Sequence, residues 1–198
     1  MPSILETLAD QLDDQTLNQI SAQLGTDSAK TEQAITAALP MLLGALGRNT
    51  ASPEGAQSLA NALQRDHDGS ILAHKQEALS SSTTLETGMK ILGHVLGGKQ
   101  NNVQTGVSQV SGLDANSTGQ LLALLAPLVL GTLGKQQKEQ NLGADGLASL
   151  LKQERDTTES SLGGLAQLLD LDGDGDVTDD MMVLGSSLLG GLFGRRRK

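Results

Sequence analysis

Two stretches of this chain match each other without a gap. Residues 25–47 read GTDSAKTEQAITAALPMLLGALG and residues 112–134 read GLDANSTGQLLALLAPLVLGTLG. Asp27 pairs with Asp114, Gln33 with Gln120 and Pro40 with Pro127. Gly44 and Gly47 pair with Gly131 and Gly134. A chain that repeats itself in this way is built from copies of one supersecondary unit. The unit is helical. Ile4, Leu5, Leu8 and Leu12 keep the three-to-four spacing of an amphipathic helix, as do Leu17, Ile20 and Leu24. Alternating β-branched and aromatic residues, the mark of strands, are missing. The spacing predicts an all-α fold, a multihelical array of two related helical subdomains from an internal duplication.

The repeat extends beyond these stretches. After a one-residue offset, SLANALQRD (58–66) shares its apolar pattern with GLASLLKQE (146–154). GMKILGHVLGG (88–98) resembles DMMVLGSSLLGG (180–191). This divides the chain into a first helical unit at 1–98 and a second at 99–198, joined around 97–104. Gly25 is expected to end one helix, with Asp27 or Ser28 capping the next. Pro40 and Pro127 should each kink a helix or start a new one. The glycines at 44, 47, 131 and 134 suit close helix packing.

Composition narrows the chemistry. There is no cysteine, which removes disulfides and thiolate sites, and Phe193 is the one aromatic residue. A base-stacking platform for single-stranded nucleic acid is excluded. The net charge of -9 disfavours a broad nucleic-acid surface. The N-terminus has no basic region followed by an apolar run, so no secretory signal is expected and the cytoplasm is the default location. Residues 181–194 are apolar but short of the ~20 needed to span a bilayer as a helix.

The strongest chemical signal is DLDGDGDVTDD at 170–180, with six aspartates in eleven residues. Neither helix nor strand favours such crowded carboxylates, and a hard cation would relieve their repulsion. Asp170, Asp172 and Asp174 fall at positions 1, 3 and 5 of a calcium loop. Gly175 sits at the sharp turn, Asp176 would offer its carbonyl, and Val177 fits the hydrophobic anchor. Position 12, normally a bidentate Glu, is Met181, so Asp179 or Asp180 must close the site. One Ca2+ ion is expected within 170–181, with an affinity on the order of 10⁻⁶ to 10⁻³ M. The corresponding part of the first unit, SSSTTLETG at 80–88, carries a single carboxylate, Glu86. A helix–loop–helix in the second unit therefore has no need of six aspartates unless they bind metal.

The repeated GxDxxxxxQ…PxLLGxLG pattern, the ILGHVLGGKQ segment and the terminal DxDGDGxVxDD loop before a Gly-rich helix resemble the YidB-like bacterial family of unknown function. The resemblance covers essentially the whole chain. It implies an all-α array of two subdomains and no established activity.

Other candidates are weaker. His67 lies between Asp66 and Asp68, which suggests a second metal site, but Gly69 breaks any helix linking it to His74. They read as a loop histidine and an exposed one. His94, between Leu92 and Leu96, reads as a buried, hydrogen-bonded core residue. No hydrolase elbow, phosphate loop, paired-histidine metal motif or nucleotide fingerprint occurs. The helix MMVLGSSLLGGLFGRRRK (181–198) ends in Arg195, Arg196, Arg197 and Lys198. These cations suit a helix C-terminus, an anionic membrane or polyanion surface, or contact with a protein partner or second copy. The sequence thus points to a non-enzymatic calcium-binding structural or interaction module. A peripheral membrane or polyanion binder and an enzyme with a dispersed site are the alternatives.

Overall fold

Ser and Asp side chains cap α-helices that begin at Ile4, Asp14, Ser28, Pro53 and Ala115. The computed structural model describes residues 3–161, with side chains to residue 157. Its helices are α1 (Ile4–Gln11), α2 (Asp14–Leu24), α3 (Ser28–Asn49), α4 (Pro53–Asp66), α5 (Lys75–Ser80), α6 (Ser82–Val95), α7 (Gln100–Ser111), α8 (Ala115–Glu139) and α9 (Ala144–Ser161). Two 3₁₀ turns, Ser70–His74 and Gly97–Lys99, complete the described residues, which contain no strand. The fold is all-α, as the sequence predicts. The aspartate stretch at 170–180 and the apolar helix expected at 181–194 lie outside the described residues.

The two repeated stretches share their local structure. Gly25 and Gly112 end α2 and α7 in the left-handed region, at φ 64° and 69°, where a side chain would be strained. Asp27 then caps α3 by accepting the Lys30 N–H at 2.8 Å, and Asp114 caps α8 by accepting the Ser117 N–H at 3.0 Å. The Thr31 and Thr118 hydroxyls each donate back to the cap carbonyl, at 3.0 and 2.9 Å. Both helices run uninterrupted through Pro40 and Pro127. No new helix starts at either proline.

The two long helices then part in burial. α3 buries one face, including Ala34, Ala38, Leu42 and Leu46, and leaves Gln33 and Thr36 exposed. α8 is buried on all sides from Leu121 to Gly134. It is the axis of the fold, with α1, α2, α3, α4, α6 and α7 packed around it. Among the described residues only α8 is long and apolar enough to cross a membrane, and 83% of that stretch is buried inside the protein. A helix that is apolar all round needs such a surround.

One apolar cluster takes residues from both repeats. It includes Ile4, Ile20 and Leu42, then Leu92 of α6, Leu121, Leu125 and Leu128 of α8, and Leu151 of α9. The stretches 1–98 and 99–156 therefore share a core, and Met1–Asp156 is one compact unit. Between the repeats the chain makes only the short turn Gly97–Lys99 before α7 begins.

The helical glycines divide the same way. A Cβ on Gly88 of α6 would overlap the Ala123 carbonyl oxygen, and one on Gly134 would overlap the His67 carbonyl oxygen. A Cβ on Gly131 would lie 2.5 Å from Ile71 Cγ2. In α3, by contrast, Gly44 meets only Arg48 Nη1 at 3.9 Å and Gly47 only the Leu151 carbonyl oxygen at 3.7 Å. Close approach is thus a property of α8, and the aligned glycines of α3 do not share it.

Candidate functional site

The expected metal ligands Asp170, Asp172, Asp174, Asp176, Asp179 and Asp180 all fall outside the described residues. Among the described residues no three His, Asp or Glu side chains come together in a way that could hold a metal ion. The segment aligned with the aspartates, 80–88, is not a loop. α5 ends at Ser80, Ser81 is extended, and α6 begins at Ser82. Serines and threonines at a helix start favour this, and no crowding of carboxylates opposes it.

The histidine region resolves into separate local roles. Asp66 pairs with the Arg65 guanidinium at 3.1 Å. Hydrogen bonds from the Ser70 side chain and then from the Ser70 N–H, which reaches Asp68 Oδ1 at 3.0 Å, hold the Asp68 carboxyl below the ordinary carboxylate value. His67 is half-buried. Burial pushes its pKa down, with the Asp66 charge opposing. His74 is exposed at the end of its 3₁₀ turn. His94 corrects the sequence reading: it is exposed, and its Nδ1 donates to the Lys90 carbonyl of its own helix at 2.9 Å. Leu92 and Leu96 are buried, but position 94 lies on the opposite side of the helix.

Two polar features were not legible in the sequence. Glu154 of α9 is buried, and its carboxylate accepts the backbone N–H groups of Ile4 (3.1 Å) and Leu5 (2.9 Å). It thereby caps α1 from 150 residues away, alongside the local Ser3–Glu6 capping box. The second feature joins α2 to α5. Lys75 Nζ donates to the Gln11 carbonyl at 2.7 Å and to Asp13 Oδ2 at 2.8 Å. Asp13 also caps α2 through the Thr16 N–H at 2.9 Å. The Lys75 hydrogen bond, followed by those from Thr16, holds the Asp13 carboxyl well below the usual carboxylate range. Gln19 Nε2 reaches the Gln76 carbonyl and Ser80 Oγ, both at 2.7 Å, and Gln23 Nε2 reaches the Leu79 carbonyl at 2.6 Å. Spacing along the chain gives no signal for the Glu154, Lys75, Gln19 and Gln23 contacts, because their partners are distant in sequence.

These groups cap, pair and pack, and no acid–base or nucleophilic arrangement emerges among them. A family model matches residues 6–136 and again 135–198, together nearly the whole chain. The chain belongs to DUF937, a family of bacterial proteins of unknown function. The second DUF937 match begins near the end of α8 and includes the aspartate stretch. Comparison with curated proteins and with solved structures gives no match.

Proposed function

We propose that this DUF937 protein is a non-enzymatic calcium-binding module with a structural or protein-interaction role in the cytoplasm. One observation carries the proposal: Asp170, Asp172 and Asp174 precede Gly175 at the spacing of a calcium loop. Asp176 would add its carbonyl, and Asp179 or Asp180 would stand in for the absent twelfth-position Glu. The contrast with the first repeat supports this. Residues 80–88 hold one carboxylate and continue into a helix, so the aspartates are not a demand of the repeat itself. The YidB-like kinship suggested by ILGHVLGGKQ belongs to the same proposal.

Calcium titration of the whole chain by calorimetry tests it. Heat is expected by millimolar calcium, and Asp172→Ala with Asp174→Ala should remove it. No heat, or unchanged heat in the variant, would sink the proposal. At a 100-fold excess of calcium over Kd, binding would add about 2.7 kcal/mol to stability.

The four C-terminal cations and Phe193 favour a second reading, a peripheral membrane or polyanion binder. The net charge of -9 opposes it. Flotation with anionic vesicles, with and without residues 195–198, separates the two.

A further inference from the structure

We infer that residues 67–81 form a detachable strap that covers the glycine face of α8 and opens as a unit while the rest of the core stays folded. The strap runs from His67 through the 3₁₀ turn Ser70–His74 and α5 to Ser81. Its underside follows α8 closely. The His67 carbonyl lies on Gly134, Ile71 lies on Gly131, and Gly69 lies against the Lys135 side chain. While the strap is down, no other backbone can reach Gly131 or Gly134.

The means of attachment separates this segment from its surroundings. Of residues 67–81 only Leu79 is fully buried; Ile71 and Leu72 of the 3₁₀ turn are half-buried against the core. The remaining attachment is polar and comes from α2 and from the end of α1. Gln19 and Gln23, one turn apart, donate to the Gln76 and Leu79 carbonyls. Gln76 Nε2 donates to Thr16 Oγ1 at 3.2 Å, and Lys75 Nζ ties the N-terminal end of α5 to Gln11 and Asp13. Few buried apolar side chains and a set of partly exposed hydrogen bonds are the marks of a unit that opens below the global unfolding free energy.

Both ends can act as hinges. His67, at φ -138° and ψ 46°, is the non-helical residue that ends α4, and Ser81 is the extended residue between α5 and α6. Lifting the strap leaves α8 packed against α3, α6 and α7. The cover is therefore a conformational device laid over the fold's central helix.

Native-state hydrogen exchange on the whole chain tests the strap. The Leu72 and Ser81 amides, bonded to the Gly69 and Ala78 carbonyls, should exchange at least about tenfold faster than α8 amides such as Leu128, with a shallow denaturant dependence. The paired change Gln19→Ala with Gln23→Ala should speed strap exchange by about another tenfold and leave α8 unchanged. Lys75→Met, made alone, should act in the same direction. Strap amides that exchange at the α8 rate with the α8 denaturant slope would overturn the inference. So would variants that speed α8 as much as the strap.

Discussion

The α-carbon of Gly88 faces the backbone carbonyl of Ala123. That carbonyl stands four residues before Pro127, which has no N–H to return to it. The proline thus frees an acceptor in the middle of the buried helix α8, and α6 brings the Gly88 Cα–H onto it. The matching proline, Pro40, frees the carbonyl of Thr36, an exposed residue. One sequence pattern has two outcomes, set by which helix became the axis.

Gly88 of α6 and Gly44 of α3 should therefore respond oppositely to alanine. Gly88→Ala forces a methyl into the Ala123 backbone and should destabilise by about 1–3 kcal/mol in urea unfolding. Gly44→Ala makes only an ordinary contact with the Arg48 side chain and should stabilise by about 1 kcal/mol, the usual helical preference of alanine over glycine. Equal effects at both sites would contradict the difference in packing.

Glu154 is the tie between the first helix and α9. Glu154→Ala leaves the Ile4 and Leu5 N–H groups without this acceptor. A loss of about 1–3 kcal/mol is expected. Glu154→Gln keeps one acceptor oxygen and should recover part of it. Limited proteolysis should cut the alanine variant first around α1.

Much of this was readable from the chain. The apolar spacing gave the helices, Gly25 and Asp27 marked a stop and a start, and the repeat predicted that 112–134 would fold like 25–47. What could not be read was the partner of each face. Thr36 and Ala123 occupy the same place in the repeat, yet one meets solvent and the other the core. His94 sits between two leucines and still points outward. Glu154 and Lys75 find partners that no local pattern announces. The aspartates at 170–180 remain legible only as spacing and chemistry, since they lie outside the described residues.

Acid should weaken the fold from two directions. Burial lowers the His67 pKa below its ordinary 6.5, with Asp66 opposing, so the unfolded chain binds the proton more readily. Its contribution is complete above pH 6.5 and is lost as pH falls through the lower folded value. Asp13, held down by Lys75 and then Thr16, contributes above its ordinary 3.8 and loses that contribution as pH falls further. Chemical denaturation across pH should show a plateau above about 6.5 and a decline below it. His67→Gln should remove the upper part of that decline. Stability that rises on acidification would contradict both assignments.

The core itself should be intolerant along α8. Leu125 is fully buried, and Leu125→Ala should cost about 2–5 kcal/mol. Val110, half exposed on α7, should tolerate alanine within about 0.5 kcal/mol. Thermal or urea unfolding distinguishes the two directly.

The number of calcium ions bound per chain is the most direct test of the proposed function. Equilibrium dialysis of the whole protein at millimolar calcium should give one ion per chain, and the Asp172→Ala, Asp174→Ala double variant should give none. No bound ion in the wild type, or one retained by the double variant, would contradict a calcium site at 170–181.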